Sequence, residues 1–244
     1  MSLLRCLQND VQACIDLLLP AACPWCGRLL SADRTPADIC PSCQQGMQSL
    51  PPSHCPCCAQ PHATRTDTPH YCENCLRHPP HFSKVYAVGR HAGTLKEAIH
   101  RFKYRDNPGL NVSLGQLMIA VLTSNLGQFQ PDMVIPVPLH PHRLRQRGYQ
   151  QALELARPIA KYLQTPLEAH LLQRIKTTPP QQGQNAADRQ RNLRKAFVAG
   201  RVLAGEQILL IDDVMTTAAT ARECAKTLTE NGAGEIHVAV LGRA

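Results

Sequence analysis

The spacing of apolar residues divides the chain into three stretches with different periods. Over the first twenty residues Leu3, Leu4, Leu7, Val11, Ile15, Leu18 and Leu19 recur at helical spacing. Asp10 and Asp16 interrupt them, which predicts an amphipathic helix over 1–20 and not a secretory signal. Cysteines organise residues 21–80. From Phe82 onward, short apolar runs alternate with longer amphipathic ones. Strands are predicted over Phe82–Arg90, Met133–Pro136, Gln207–Ile211 and Glu235–Leu241. Helices are predicted over Leu95–Tyr104, Leu114–Asn125 and Gln150–Leu163, and again from Ala219 to a stop at Asn231-Gly232. Strands that alternate with helices imply an α/β domain with a parallel sheet over 81–244. No apolar run reaches membrane-spanning length.

The stretch Ile208–Thr220 reads ILLIDDVMTTAAT and carries the most chemical information. Its apolar start, uninterrupted by polar residues, suits a strand buried on both faces. Asp212 and Asp213 follow, then Thr216, Thr217, Ala218, Ala219 and Thr220, then helix-forming sequence. A strand, a small hydroxylated turn and a helix make an anion cradle, because successive N–H groups and hydroxyls converge over the positive helix end. Two carboxylates beside it can accept hydrogen bonds from the vicinal hydroxyls of a sugar. The implied ligand is a ribose 5-phosphate. The plainer alternative is an ordinary strand-to-helix turn in which Asp and Thr serve as caps.

Eight of the twelve cysteines form four C-x-x-C pairs: Cys23/Cys26, Cys40/Cys43, Cys55/Cys58 and Cys72/Cys75. Each of the first four recurs 32 positions later, so the segment is a duplicated unit. Each unit offers four thiolates on two knuckle turns, the set that structural Zn²⁺ takes with no open position. One zinc per unit is the simplest pairing; a cross-braced arrangement has the same spacing. Cys6, Cys14 and Cys224 fall on helical stretches as core or surface residues, and Cys57 reads as packing.

Charge separates the two parts. Residues 1–80 hold five Arg, no Lys and six acids, whereas the remainder holds 21 bases against 12 acids within a net charge of +8. Two Zn(Cys)₄ centres make the first part more negative still, which disfavours it as a nucleic-acid grip and suits a folding or docking element. Cysteines kept for metal, with no signal segment, point to the cytoplasm.

A second basic stretch, PVPLHPHRLRQRGYQQ, leaves the strand at Val134-Ile135 and includes Arg143, Arg145 and Arg147 before Gly148. It is predicted as a cationic loop able to hold a diphosphate, with a solvated surface loop as the alternative. Residues 174–197, glutamine-rich and basic, read as an exposed hairpin or flap, or else as a flexible surface loop.

These features together resemble the ComF/GntX family, and the likeness spans nearly the whole chain. The matching residues are the four C-x-x-C pairs, IHRFKY at 99–104, PVPLHPHRLRQRGY at 136–149, Gln181 with Arg189, Arg191, Asn192 and Phe197, and DDVMTTAAT. The resemblance implies an N-terminal double zinc ribbon, here 21–80, fused to a type I phosphoribosyltransferase-like domain, here 81–244. The acid–threonine stretch is similar to that fold's PRPP loop, which has T-T-G-x-T. Ala218 stands at its glycine and fits if its φ stays negative. Gln150 replaces a usual Asn, and Gln184 an apolar residue.

On that resemblance PRPP would be held by Asp212, Asp213, Thr216, Thr217, Ala218, Ala219, Thr220 and Arg147, with Mg²⁺ on the diphosphate. Asp212 and Asp213 would be the catalytic pair, Asp213 close enough to stabilise a cationic sugar. Lys103 could reach the same region, but a surface lysine is the plainer reading. The implied setting is natural DNA uptake or DNA utilisation, beside a DNA-translocating helicase. A phosphoribosyltransferase with an unnamed acceptor, a non-catalytic PRPP sensor and a single-stranded-DNA-binding or docking protein all remain open, as does a homodimer.

Overall fold

The computed structural model describes residues 20–31, 38–63, 68–103, 109–176 and 193–244, apart from the side chains of 109, 143, 146 and 147. The expected N-terminal helix, Cys6 and Cys14, Tyr104, and the middle of the 174–197 stretch, with Gln181, Gln184, Asp188, Arg189, Arg191 and Asn192, lie outside the described residues.

Two one-turn helices, α1 (Pro41–Gln45) and α2 (Glu73–Arg77), belong to the cysteine segment. Then follow β1 (Lys84–Arg90), α3 (Gly93–Phe102), α4 (Gly109–Asn125), β2 (Met133–Pro136), α5 (Pro141–Arg147) and α6 (Gln151–Leu163). β3 (Leu172–Arg174), β4 (Phe197–Ala199), β5 (Ile208–Met215), α7 (Ala219–Glu230) and β6 (Ile236–Arg243) complete the order. Four strands form one sheet, β1-β6-β5-β2, with every neighbour parallel. β3 and β4 pair antiparallel, with Arg174 opposite Phe197, which brings the two ends of the 174–197 stretch together.

The central strand β5 shows why its sequence is continuously apolar. Ile208 and Leu210 face one apolar cluster and Leu209 and Ile211 the other, all four fully buried. Burying one such side chain contributes about 1.5–3 kcal/mol. On the second of these faces α4 presents Leu110, Leu114, Met118 and Leu122, spaced by four along one helix stripe. A Cβ on Gly115 would stand 3.0 Å from Pro158 Cγ, so glycine there lets α4 lie close against α6.

Each cysteine unit joins one face of the sheet. Cys23, Cys40 and Cys43 share a cluster with α3, α4 and α6, and Trp25 Nε1 donates to Ser113 Oγ at 3.1 Å. Cys55, Cys58 and Cys75 share the opposite cluster with β2, β5 and α7. Cys57 is buried there, its thiol 3.5 Å from the Phe82 carbonyl, and Cys224 lies on the buried face of α7, so both pack as expected.

Two expectations need correction. β5 does not stop at Ile211 but continues through Met215, because β6 runs alongside it to Arg243 and keeps its backbone paired. Asp212 and Asp213 therefore lie inside the strand, not after it. The cationic stretch after β2 is not a loop but the helix α5. His140 caps it by accepting from the His142 amide at 3.2 Å, Pro141 starts it, and Gly148 ends it with φ +72°. Among the described residues no helix is long and apolar enough to cross a membrane.

Candidate functional site

The cysteines gather into two separate clusters, Cys23/Cys26/Cys40/Cys43 and Cys55/Cys58/Cys72/Cys75, with all four sulfurs of each within 4.8 Å of one another. The pairing is thus sequential and not cross-braced. Sulfurs around a tetrahedral ion with Zn–S near 2.3 Å stand about 3.8 Å apart. The observed 3.6 Å for Cys26–Cys40 and for Cys58–Cys72, and 4.0 Å for Cys23–Cys43, fit that spacing. Burial pushes the Cys43 and Cys75 thiols up, so four ionised sulfurs at each centre require a cation among them.

Only the first pair of each unit forms a knuckle. In the first, Cys23 N donates to Arg28 O and Gly27 N to Cys23 O; in the second, Cys55 N donates to Gln60 O and Ala59 N to Cys55 O. Gly27 and Ala59 occupy the same repeat position, both left-handed at φ +76° and +55°. The second pair instead starts a helix, with Cys40 at the N-cap position of α1 and Cys72 at that of α2. Helix N-terminal amides favour a thiolate, and the Cys43 amide is the first cause that brings Cys40 down to about 7.

The second candidate site lies at the carboxyl ends of the parallel strands, where open α/β sheets bind ligands. Asp212 Oδ1 accepts from the Asp213 amide at 2.9 Å, and Asp213 Oδ1 from the Val214 amide at 2.7 Å. Burial, then the adjacent Asp213 charge, raises Asp212 well above the usual carboxylate range. Lys103 is not a plain surface lysine. Ending α3, it sets Nζ 3.1 Å from Asp213 Oδ2. His91, just past β1, belongs to the same region. Its imidazole is held below the usual range by burial and by Lys103 and Lys96, against a partial offset from Asp213. Sequence reasoning passed over His91, although its place at a strand's carboxyl end was the available signal.

Beyond Met215 the chain turns through Thr216, Thr217 and Ala218 into α7. Ala218 is buried with φ +62° and ψ 6°, against the expectation of a negative φ. Three residues must connect a strand that stays paired through Met215 to a helix that begins at Ala219, and the left-handed turn closes that gap. The first turn of α7 holds no acidic residue, and Ala218 at its N-cap has no side-chain acceptor to offer its amides. A helix N-terminus of that composition suits an anion.

β2 brings the basic helix to this point, since Val137 N donates to Ile211 O at 2.8 Å. Gln150 Nε2 donates to Val137 O at 3.1 Å, giving the substituted position a structural task. Gln151 Nε2 reaches Lys103 O at 3.5 Å and ties α6 to the end of α3. Arg147 ends α5, Arg145 is exposed, and the side chains of Arg143 and Arg147 lie outside the described ones.

Residues 14–76 match the double zinc ribbon domain family. Competence protein F of Haemophilus influenzae is 32% identical over 84% of this chain and 90% of its own length. The DNA utilization protein YhgH of Shigella flexneri is 30% identical over 93% of this chain and 99% of its own. Among solved structures, a purine phosphoribosyltransferase from Pyrococcus horikoshii aligns over 53% of this chain and 73% of its own at 20% identity, with a TM-score of 0.36. That overlap is slight, so the site assignment rests on the geometry of the chain itself.

Proposed function

The chain belongs to the family of competence protein F and the YhgH-type DNA utilization proteins, and on that premise we propose that its α/β domain is a type I phosphoribosyltransferase-like module that binds PRPP in the service of DNA uptake or utilisation. One observation carries the reading. An acid pair on β5 is followed, after Val214 and Met215, by a tight threonine turn and a helix with no acid in its first turn and Ala218 at its N-cap. Thr216, Thr217, Ala218, Ala219 and Thr220 would hold the 5-phosphate, and Asp212 and Asp213 the ribose hydroxyls.

Lys103 donates to Asp213 Oδ2. On binding, its ammonium would exchange Asp213 for the departing diphosphate, which Arg147 at the end of α5 would also meet. Loss of diphosphate would leave positive charge on the sugar ring, which Asp213 would stabilise. Mg²⁺ arriving with PRPP would neutralise the diphosphate, since a small hard cation is commonly held by substrate phosphates with few protein ligands. Structural zinc in the two ribbons would fix the module to both faces of the sheet.

Calorimetric titration of Mg-PRPP into zinc-loaded protein tests the assignment, with Asp212→Asn/Asp213→Asn as the control. Micromolar binding that disappears in the double variant is the expected result. A folded wild-type sample that binds nothing would overturn it. Diphosphate release in the presence of trial acceptors then separates a transferase from a PRPP sensor.

A further inference from the structure

The two ribbons are not equivalent in what they touch. Arg243, the last residue of β6 and 3% exposed, donates from Nε to the Cys58 carbonyl at 2.8 Å. Its Nη2 lies 4.0 Å from Cys58 Sγ and also meets Gln60 Oε1. Its Nη1 donates to the carbonyls of Met215, at 3.1 Å, and Thr216. One guanidinium thus spans from a metal-binding cysteine of the second cluster to the first residues of the anion turn. Past the far end of that turn, Arg222 in α7 places Nη2 3.4 Å from Cys75 Sγ and donates Nη1 to the His78 carbonyl. The turn is bracketed by two arginines, and each holds a sulfur of the same cluster. Among the described residues no arginine reaches a sulfur of the first cluster, where Arg28 binds Ser42 Oγ and Arg101 the Trp25 carbonyl.

A Zn(Cys)₄ centre carries a formal charge of −2, which two guanidiniums match. Arginine suits this place because its planar fork can serve sulfur, carbonyl and turn together, as a lysine ammonium cannot. We propose that the second zinc centre is a positioning device for the anion turn: Arg222 and Arg243 transmit its occupancy to residues 215–222, whereas the first centre only anchors its ribbon to α3 and α4. Arg222 and Arg243 are positioning residues. Only the effect on ligand affinity rests on the PRPP reading above; the effect on the turn does not. Coupling is reciprocal, so a phosphate ligand in the turn must also raise zinc affinity at the second centre and leave the first unchanged.

Hydrogen exchange of peptides covering 213–221 tests this in full-length, ligand-free protein with two metals per chain. Arg243→Met and Arg222→Met should each speed that exchange at least tenfold while retaining both metals, and Arg28→Met should leave it unchanged. In cobalt-substituted protein the same two variants should shift the sulfur-to-cobalt charge-transfer band, a signature that a purely packing role would not move. Arg243→Lys should not restore protection of the turn. Wild-type exchange and an unmoved band in both metal-replete variants would overturn the coupling. If Arg243→Met fails to hold its metals, Arg222→Met decides, together with chelator removal of zinc from Cys23→Ser protein, whose remaining centre is the second. Protection of 213–221 that survives that removal would also overturn it. Mg-PRPP affinity measured on the same variants separates the two ideas. A turn that responds in a protein unable to bind PRPP sinks the ligand and keeps the coupling; intact PRPP binding with an indifferent turn does the reverse.

Discussion

Replacing Lys103 by Met and Asp213 by Asn, singly and together, isolates the ion pair that closes the acid site. At 3.1 Å, the bare Coulomb attraction is about 5 kcal/mol at an effective dielectric of 20 and about 1.3 kcal/mol in bulk water. The two side chains are 26% and 16% exposed, so solvent screens part of it and a coupling energy of about 2 kcal/mol is expected. The single variants should not be equal. Lys103→Met removes the ammonium that offsets the adjacent Asp212 and Asp213, and should cost more than the coupling itself. Asp213→Asn strands a lysine that can turn to water, and at the same time relieves the repulsion on Asp212, so about 1 kcal/mol is expected. Urea unfolding at saturating zinc, extrapolated linearly, measures all four corners. Coupling below about 0.3 kcal/mol, or a larger loss in Asp213→Asn than in Lys103→Met, would refute the reasoning.

Asp212 titrates high in the folded protein, so the folded state binds its proton more tightly than the unfolded one. Wild-type stability from this group is therefore greatest below the unfolded value near 3.9 and is lost as pH rises through the folded value. Asp212→Asn should melt above wild type at pH 8, with the gap narrowing toward pH 5; a variant that melts lower at pH 8 contradicts this. Cys23→Ser and Cys55→Ser should each retain one zinc per chain by elemental analysis, and two in either variant would remove those ligands from the assignment. Ala218→Gly should stay within about 1 kcal/mol of wild type, since relief of left-handed strain offsets lost burial and gained unfolded-state entropy. Ala218→Val, β-branched at positive φ, should lose more than about 2 kcal/mol in the same urea assay.

Much of what depends on neighbours in sequence was legible, although the local caps that make 141–147 a helix, His140, Pro141 and Gly148, were passed over. Met133–Pro136 forms a strand over the very residues its apolar run marks, and α6 ends at Leu163 as its amphipathic spacing indicates. The two zinc-binding clusters follow from a repeat that needs no tertiary knowledge. What depended on the assembled sheet was not legible. Asp212 and Asp213 joined the strand because β6 lies beside them, and β6 comes later in the chain. Lys103 met Asp213, and Arg243 met Cys58, across long separations that local pattern does not encode. Ala218 adopts a conformation its own chemistry disfavours, because a paired strand and a packed helix leave the turn no other path.

The sheet order also sets a timetable for biosynthesis. β6 stands between β1 and β5, so a strand made about 150 residues after β1 fills an interior place, and among the described residues β1 gains its strand partner only when residues 237–243 have left the ribosome. Both metal clusters are complete by Cys75, roughly 170 residues earlier, or ~10–30 s at about 5–20 residues per second. During that interval the nascent chain carries its metal-binding segment beside an unpaired β1, the exposed strand edge on which a chaperone would act.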